Sequence, residues 1–231
     1  MTFVASIYLL LIAACAWFVL PHAIKKIQTR LLRRRCQAEH SIVLTYDDGP
    51  GTHLTPALLE ILRDRNAHAT FFPLGHKLGK SKEIVARIIG AGHEIGSHSY
   101  AHLHAWKCDP VSVFLDIQKG LRVVRTVADC QLFRAPYGKL TLGSLIQVGL
   151  HGCRQSWWTI DSTDTWGKPI GVKEILDRVR AQGGGVVLLH DLDRPAQPEH
   201  EKFVLDLTRG LLDLADGEGV RIRRLGDVIQ K

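Results

Sequence analysis

The sequence predicts an α/β barrel, in which parallel strands alternate with helices around one core. From His40 onward, short apolar runs alternate with amphipathic stretches, a pattern typical of βα repeats around a parallel sheet. The chain has 231 residues, of which 45% are hydrophobic, so it is long enough for one such domain and short for two. We therefore expect a single α/β unit.

The alternation places six strands and six helices. Strands are expected at residues 41–46, 68–73, 94–97, 131–134, 152–157 and 185–190. Helices are expected at residues 54–65, 81–90, 110–128, 141–149, 172–181 and 202–215. The sharpest boundary is the turn sequence Asp48-Gly49-Pro50-Gly51, which ends the first strand.

The N-terminal segment differs from the rest in composition. Residues 1–24 contain no charged side chain, and their apolar run approaches the roughly 20 residues that a helix needs to cross a bilayer. A buried core helix would show a polar stripe, which this segment lacks. We therefore expect a transmembrane anchor at 1–24, a basic juxtamembrane linker at 25–39 and a catalytic domain at 40–231.

Two other fates of this segment stay open. A cleaved signal peptide carries its positive charge before the apolar region, whereas here the charge follows it. The stretch from Ile12 to Cys15 loosely resembles a lipoprotein processing site, although the residues after it are still apolar. Retention as a membrane anchor is the preferred interpretation.

The basic charge of the chain is concentrated beside this apolar segment. The formal net charge of the chain is +7, and one cluster supplies six positive charges, which leaves a net charge of about +1 for the other residues. The cluster consists of Lys25, Lys26, Arg30, Arg33, Arg34 and Arg35. Such a flank is typical of attraction to anionic membrane lipid, so no nucleic-acid partner is expected. We expect a single-pass protein of the bacterial inner membrane, and the positive-inside bias predicts that its catalytic domain faces the cytoplasm. An external polymer substrate would require the domain to face the opposite side.

The cysteines indicate no metal or disulfide framework. There are five, and no pair has the C-x-x-C spacing of a thiolate zinc site. An odd number without such spacing is typical of small buried side chains in a reducing compartment.

Polar side chains follow several of the predicted strands, at the point where each strand ends. Asp47 and Asp48 follow the first strand, His98 follows the third, and Arg134 and His190 close two others. In parallel α/β barrels the carboxyl ends of the strands form the face on which active sites are built. The sequence therefore predicts that these five side chains share one site.

A metal centre is predicted within this set. His98 and His102 have i,i+4 spacing, which on one helical turn would let both imidazoles reach one ion, and Asp48 can supply a third ligand. With twelve histidines, chance spacing is the alternative. Two histidines and one carboxylate suit one divalent ion with open positions; zinc is the first expectation, and other divalent transition metals also fit. Neighbouring residues of a strand point in opposite directions, so one of Asp47 and Asp48 can ligate while the other acts as a base.

Five segments, in order, resemble the signatures of the polysaccharide deacetylases, carbohydrate esterase family 4 with its NodB homology domain. They are Thr45-Tyr46-Asp47-Asp48-Gly49-Pro50, His98-Ser99-Tyr100-Ala101-His102, Arg134-Ala135-Pro136-Tyr137, Trp158 to Trp166 and Leu188-Leu189-His190. The resemblance runs from about Ser41 to the C terminus. It implies a deformed (β/α)7 barrel.

The resemblance also implies a role for each matching residue. Asp48, His98 and His102 would bind the metal. Asp47 would be the general base, oriented and kept ionised by Arg134. His190 would be the general acid, with Asp161 as its anionic partner.

Three further residues would shape the substrate site. Tyr137 would line it, with its backbone amide assisting oxyanion stabilisation, while Leu188 and Trp166 would wall a small acetyl pocket. The family places tryptophan directly after the second aspartate of its fourth motif, whereas Thr165 intervenes here. Trp157 and Trp158 are therefore rival walls, and core packing is the alternative for all three tryptophans.

The implied activity is hydrolysis of N-acyl, chiefly acetyl, groups from N-acylated amino sugars of a glycan. A lipid-linked amino sugar deacylated or deformylated at the membrane is the alternative substrate. An inactive carbohydrate-binding relative would lack a ligand or the acid, yet each has a candidate here. A membrane scaffold would bind no metal, which elemental analysis would test.

Overall fold

The centre of the sheet is the first apolar run of the domain, strand β1 (Ser41–Asp47), whose seven residues are all buried. A strand buried on both faces carries a nearly continuous apolar sequence, as this one does. The computed structural model describes residues 2–229, except for the side chains of residues 2–7 and 9–14.

Seven parallel strands follow one another around an incomplete barrel. After β1 come β2 (Thr70–Phe72), β3 (Glu94–Ile95), β4 (Leu132–Phe133), β5 (Arg154–Gln155), β6 (Ile160–Asp161) and β7 (Gly185–His190). Five of them pair in the order β3-β2-β1-β7-β6, and β4 pairs with β5. An isolated parallel bridge between Ser97 and Phe133 connects the two groups. A short additional strand, β8 (Arg221–Arg223), pairs with the beginning of β1.

Helices connect the strands. They are α1 (Thr2–Ala38), α2 (Leu54–Asp64), α3 (Gly75–Leu78), α4 (Lys82–Gly90), α5 (Pro110–Val124), α6 (Leu142–Leu150), α7 (Val172–Gln182), α8 (Pro198–Glu218) and α9 (Leu225–Ile229). The interior side of α2 shows the expected spacing, because Leu54, Leu58 and Leu62 are fully buried. Asp109 caps α5 by accepting a hydrogen bond from the Ser112 amide, so this helix begins where a capping residue precedes Pro110.

The predicted α/β fold with a parallel sheet is confirmed. Each of the six predicted strands and six predicted helices overlaps an observed element. Four observed elements have no predicted counterpart: β6, β8, α3 and α9, which have two to five residues each. Segments this short do not develop a recognisable hydrophobic period.

The second half of α1 packs against the domain. Leu32 and Cys36 are buried in the common core, and Arg35 Nη1 donates a hydrogen bond to the Ile229 carbonyl at 2.8 Å. The predicted linker at 25–39 is therefore helical as far as Ala38 and is held against the barrel. The basic side chains of this segment favour a prediction of a lipid-contacting linker. The apolar residues between them, however, form a buried stripe.

The predicted membrane span at 1–24 has a separate outcome. Among helices of the described chain, none combines the length and apolarity needed to cross a membrane. Met1 and the side chains of residues 2–7 and 9–14, which make up much of this segment, lie outside the described residues. The anchor stays a prediction.

The packing of α1 predicts a specific loss of stability. Leu32→Ala should lower the free energy of unfolding of the full chain by about 2–4 kcal/mol, because it leaves a cavity in the core. Leu31→Ala is the matched control, since Leu31 is 47% exposed. Urea unfolding followed by circular dichroism measures both. An effect of Leu32→Ala no larger than that of Leu31→Ala would show that the Leu32 side chain does not stabilise the folded core.

Candidate active site

Asp47 and Asp48 lie at the end of β1 and both face one cavity of about 470 Å³. Asp48 adopts a left-handed backbone conformation, with φ at +68°. This conformation breaks the alternation of the strand, so adjacent carboxylates that would otherwise point apart converge. Asp47 is almost fully buried, whereas Asp48 is partly exposed.

The two histidines of the predicted metal set face the same carboxylate oxygen. His98 Nε2 lies 3.4 Å from Asp48 Oδ1, and His102 Nε2 lies 3.1 Å from it. The Nδ1–H of His98 donates to the Arg134 carbonyl at 2.8 Å, which leaves the Nε2 lone pair directed at Asp48. The ligand atoms of Asp48, His98 and His102 all lie within 4.8 Å of one another.

The expected helical turn between the histidines is wrong. Residues 98–102 form a loop, in which Ser99 and His102 have positive φ angles of 65° and 62°. The loop is fixed from two sides: the Ala101 amide donates to Asp116 Oδ1 at 2.7 Å, and the Gly75 amide donates to the Ser99 carbonyl at 2.9 Å. The two histidines with i,i+4 spacing therefore converge through a loop and not through a helical turn.

A glycine lets helix α5 approach this loop. A Cβ atom on Gly120 would lie 2.3 Å from the carbonyl carbon of Ser99, a distance no side chain tolerates. The same helix carries Asp116, which accepts the hydrogen bond from Ala101. Close packing of α5 thus helps to hold His98 and His102 in position.

The residues fit a divalent cation. Asp48 Oδ1 is buried and has no hydrogen-bond partner in the described chain, although two imidazole nitrogens face it. Burial lowers the pKa of His98 to about 3 and also lowers the pKa of His102. Both rings are therefore neutral, which is the form that binds metal. A set of two imidazoles and one carboxylate leaves open positions on such an ion.

Asp47 is held by a buried ion pair with Arg134 and does not belong to the predicted metal-binding group. Arg134, with no exposed surface, donates from Nη1 to Asp47 Oδ1 and to Thr45 Oγ1, both at 2.8 Å. The other oxygen, Oδ2, lies 3.8 Å from Nε2 of His98, one of the predicted metal ligands. One oxygen is thus fixed while the other remains available beside the metal site.

The predicted effect of Arg134 on Asp47 needs correction. Burial raises the pKa of Asp47, and the neighbouring guanidinium counteracts this without reversing it. The ion pair lowers the pKa and the loss of water around the carboxylate raises it, and the loss of water is the larger effect. A carboxylate with a raised pKa is a stronger base than an exposed aspartate.

The carboxylate that pairs with His190 belongs to Asp164. The predicted partner, Asp161, does not pair with the His190 ring, so this prediction is wrong. His190 Nδ1 lies 2.8 Å from Asp164 Oδ1, and the His190 amide donates to Asp164 Oδ2 at 2.8 Å. Asp161 instead accepts a hydrogen bond from the Thr163 amide at 2.8 Å, although it lines the cavity. Asp161 ends β6, and the turn at Thr163, with φ at +58°, brings Asp164 back toward β7.

The ion pair with Asp164 keeps the His190 ring protonated. Burial acts to lower the pKa of His190, but the Asp164 carboxylate raises it to about 9. Burial likewise acts to raise the pKa of Asp164, and His190 together with His200 holds it well below its usual range. His200, which the sequence analysis did not consider, is buried on α8 with Nε2 3.5 Å from Asp164 Oδ2.

The predicted substrate-facing residues all line the cavity. Leu188 is buried, whereas Tyr137 and Trp166 are 56% and 60% exposed at its mouth. The Tyr137 ring lies 4.4 Å from the ring of His102. Of the rival tryptophans, Trp158 also lines the cavity.

Trp157 belongs to the core. It is 2% exposed, its carbonyl accepts from Arg134 Nη2 at 3.3 Å, and its indole donates to Gln28 on α1 at 2.7 Å. Arg194 lines the cavity and was not singled out by the sequence analysis, because no motif contains it.

The metal assignment predicts the behaviour of two variants. His98→Ala and His102→Ala should each lose bound zinc after dialysis, because each removes one of three ligands. The control is His53→Ala, on an exposed histidine at the start of α2. Elemental analysis measures occupancy. Full occupancy in both ligand variants would refute the site.

The His190 pair predicts a titration. In an NMR titration, His190 should show a pKa of about 9. Asp164→Asn should lower it to about 6.5 or below, because the anionic partner is lost while burial remains. Asp161→Asn, the matched control, should leave it nearly unchanged. A larger shift in the Asp161 variant would reverse our assignment.

The same pair affects stability. Because the pKa of His190 is raised in the folded state, the pair contributes stability that is complete below about pH 6.5 and is lost as pH rises through about 9.

Comparisons with known proteins identify the family of the chain. The polysaccharide deacetylase family model matches residues 34–155. A chitooligosaccharide deacetylase of Bradyrhizobium sp. is 34% identical over 156 residues, which are 65% of this chain and 70% of the relative. A peptidoglycan-N-acetylglucosamine deacetylase of Bacillus cereus is 35% identical over 159 residues, which are 66% of this chain and 73% of the relative.

A solved structure shows the same fold. The crystal structure of the Bc1960 peptidoglycan N-acetylglucosamine deacetylase superposes with a TM-score of 0.75 at 27% identity, covering 84% of this chain and 90% of the other. The family model, the relatives and this structure identify the same group of proteins. The chain therefore belongs to the polysaccharide deacetylase family, and it is a hydrolase that acts on carbon–nitrogen bonds.

Proposed function

We propose that this protein is a metal-dependent deacetylase that removes acetyl groups from N-acetylglucosamine units of a glycan. The observation that carries the proposal is that one cavity holds both a candidate metal-ligand set and a charged candidate acid. The neutral imidazoles of His98 and His102 converge with Asp48, next to Asp47. The charged His190 lines the same cavity and is in register with Asp47 on the neighbouring strand. The names of the two relatives, one acting on chitooligosaccharides and one on peptidoglycan, support the substrate class.

Asp48, His98 and His102 would hold one divalent ion, with zinc as the proposed metal. When bound, such an ion supplies Lewis acidity, which activates water and polarises an acyl carbonyl. The residues around it perform the proton transfers. Asp47 Oδ2 accepts a proton from the attacking water, while Arg134 keeps the other oxygen in place.

His190 completes the reaction. The amide nitrogen leaves as an amine, which requires a proton, and His190 donates one because Asp164 keeps its ring charged. Water adds to the acyl carbon, the carbon–nitrogen bond breaks, and the products are acetate and a free amino sugar. The backbone amide of Tyr137 assists the developing oxyanion, and Leu188 with Trp166 encloses the acetyl methyl group.

A lipid-linked amino sugar is the second candidate substrate. The observation that favours it is a pair of exposed aromatic side chains, Phe18 of α1 and Trp106, whose ring centroids lie 5.8 Å apart. Residues 1–24 would then anchor the protein in the bacterial inner membrane. Four of the six basic side chains that follow, Lys26, Arg30, Arg33 and Arg34, are exposed and would hold the domain at the cytoplasmic face.

Product analysis tests the function and separates the two substrates. The zinc-loaded full chain should release acetate from N-acetylated chitooligosaccharides and peptidoglycan fragments. Asp47→Asn should lower this turnover by at least about a hundredfold, because the base is lost, while zinc stays bound. Release only from a lipid-linked amino sugar would favour the second candidate. Absence of acyl release from every substrate, with zinc bound, would refute both.

A further inference from the structure

Lys25, on helix α1, lies directly behind the wall of the catalytic cavity. Its ammonium group donates a hydrogen bond to the Gly138 carbonyl at 3.1 Å. The same group lies 4.8 Å from the ring centroid of Trp157 and 4.9 Å from that of Trp158. Gly138 and Trp158 both line the cavity. A residue from outside the motif-bearing part of the chain thus supports the site.

The packing around this contact is close. A Cβ atom on Gly138, which has φ at +61°, would lie 2.7 Å from Lys25 Nζ and 2.6 Å from Trp158 Cη2. The short helical turn Pro136–Gly138 therefore lies between the lysine and the cavity. On the cavity side of this turn, the Tyr137 ring contacts the ring of the metal ligand His102.

The environment of Lys25 differs from that of a lipid-facing lysine. Its side chain is largely shielded from water, and this burial, with repulsion from Lys139, lowers its pKa to about 8 despite the attraction of Asp161. The two tryptophan rings and the Gly138 carbonyl replace the lost hydration. Lys26, the next residue, is exposed and belongs to the surface of the same helix.

We propose that Lys25 is a positioning residue for the deacylation, because it fixes the Pro136–Gly138 turn and thereby the backbone amide of Tyr137 beside the metal site. Helix α1 then forms part of the catalytic unit in addition to any role as an anchor. The effect on turnover rests on the proposed function. The effect on the turn does not, since it follows from the contacts of Lys25 alone.

Hydrogen–deuterium exchange tests the turn independently of activity. The Gly138 and Lys139 amides donate to the Ala135 and Pro136 carbonyls, so loosening the turn exposes them. Lys25→Met keeps the apolar stem and removes the charge and the donor, and it should speed exchange of these two amides by about tenfold. Lys26→Met is the matched control and should leave the exchange unchanged. Exchange in Lys25→Met equal to that of the wild type would overturn the proposal.

Kinetics test the consequence for the reaction. At saturating zinc, Lys25→Met should lower kcat by about tenfold with little change in KM, because an oxyanion donor is loosened rather than removed. Lys25→Arg should recover most of the loss, since it keeps both charge and donor. An equal loss in Lys26→Met would overturn the proposal. If Lys25→Met speeds amide exchange but the wild-type protein releases no acyl group, then Lys25 does stabilise the turn and the proposed function is refuted.

Discussion

The guanidinium of Arg134 is completely buried at the centre of the barrel, where it pairs with Asp47 at 2.8 Å. A buried charge is costly unless it is paired, and besides the ion pair this one donates to Thr45 and to the Trp157 carbonyl. Its Nε has no hydrogen-bond partner among the described residues. Phe72 covers one face, with 4.2 Å between its ring centroid and the guanidinium carbon. These contacts tie β1 to the segments that follow β4 and β5. Removal of either partner would leave an uncompensated charge in the core.

The backbone of Arg134 extends this constraint to the metal side. Its carbonyl accepts the Nδ1–H of His98, which orients the other ring nitrogen toward Asp48. One residue therefore fixes both the proposed base and a proposed metal ligand. This explains how two adjacent carboxylates acquire different environments: Asp47 is held in a buried ion pair, whereas the Oδ1 atom of Asp48 faces two imidazole nitrogens.

Much of this site could be predicted from the sequence, because strand ends in a parallel barrel meet at one edge. Asp47, Asp48, His98, Arg134 and His190 each follow or close a predicted strand, and the structure brings them to one region. The choice between Asp161 and Asp164 could not be made in this way. Both lie in the same motif, and which one reaches His190 depends on a turn at Thr163.

Other features depend on contacts that no local pattern records. The His98 to His102 segment has helical spacing, yet packing against Gly120 and Asp116 holds it as a loop. The basic stretch after residue 24 has the composition of a membrane flank, yet Lys25 and Arg35 contact the domain. The raised pKa of Asp47 also required knowledge of burial, which an ion pair inferred from a motif does not supply.

The central claim is that Asp48, His98 and His102 bind one metal ion while Asp47 remains in its ion pair with Arg134. Anomalous diffraction at the zinc edge, from crystals of the full chain grown with zinc, tests it most directly. The account predicts one strong peak about 2.0–2.2 Å from an Asp48 oxygen and from both Nε2 atoms. Asp47 Oδ1 should still accept the hydrogen bond from Arg134. A peak coordinated by Asp47, or one outside this site with no density between the two histidines, would contradict the account.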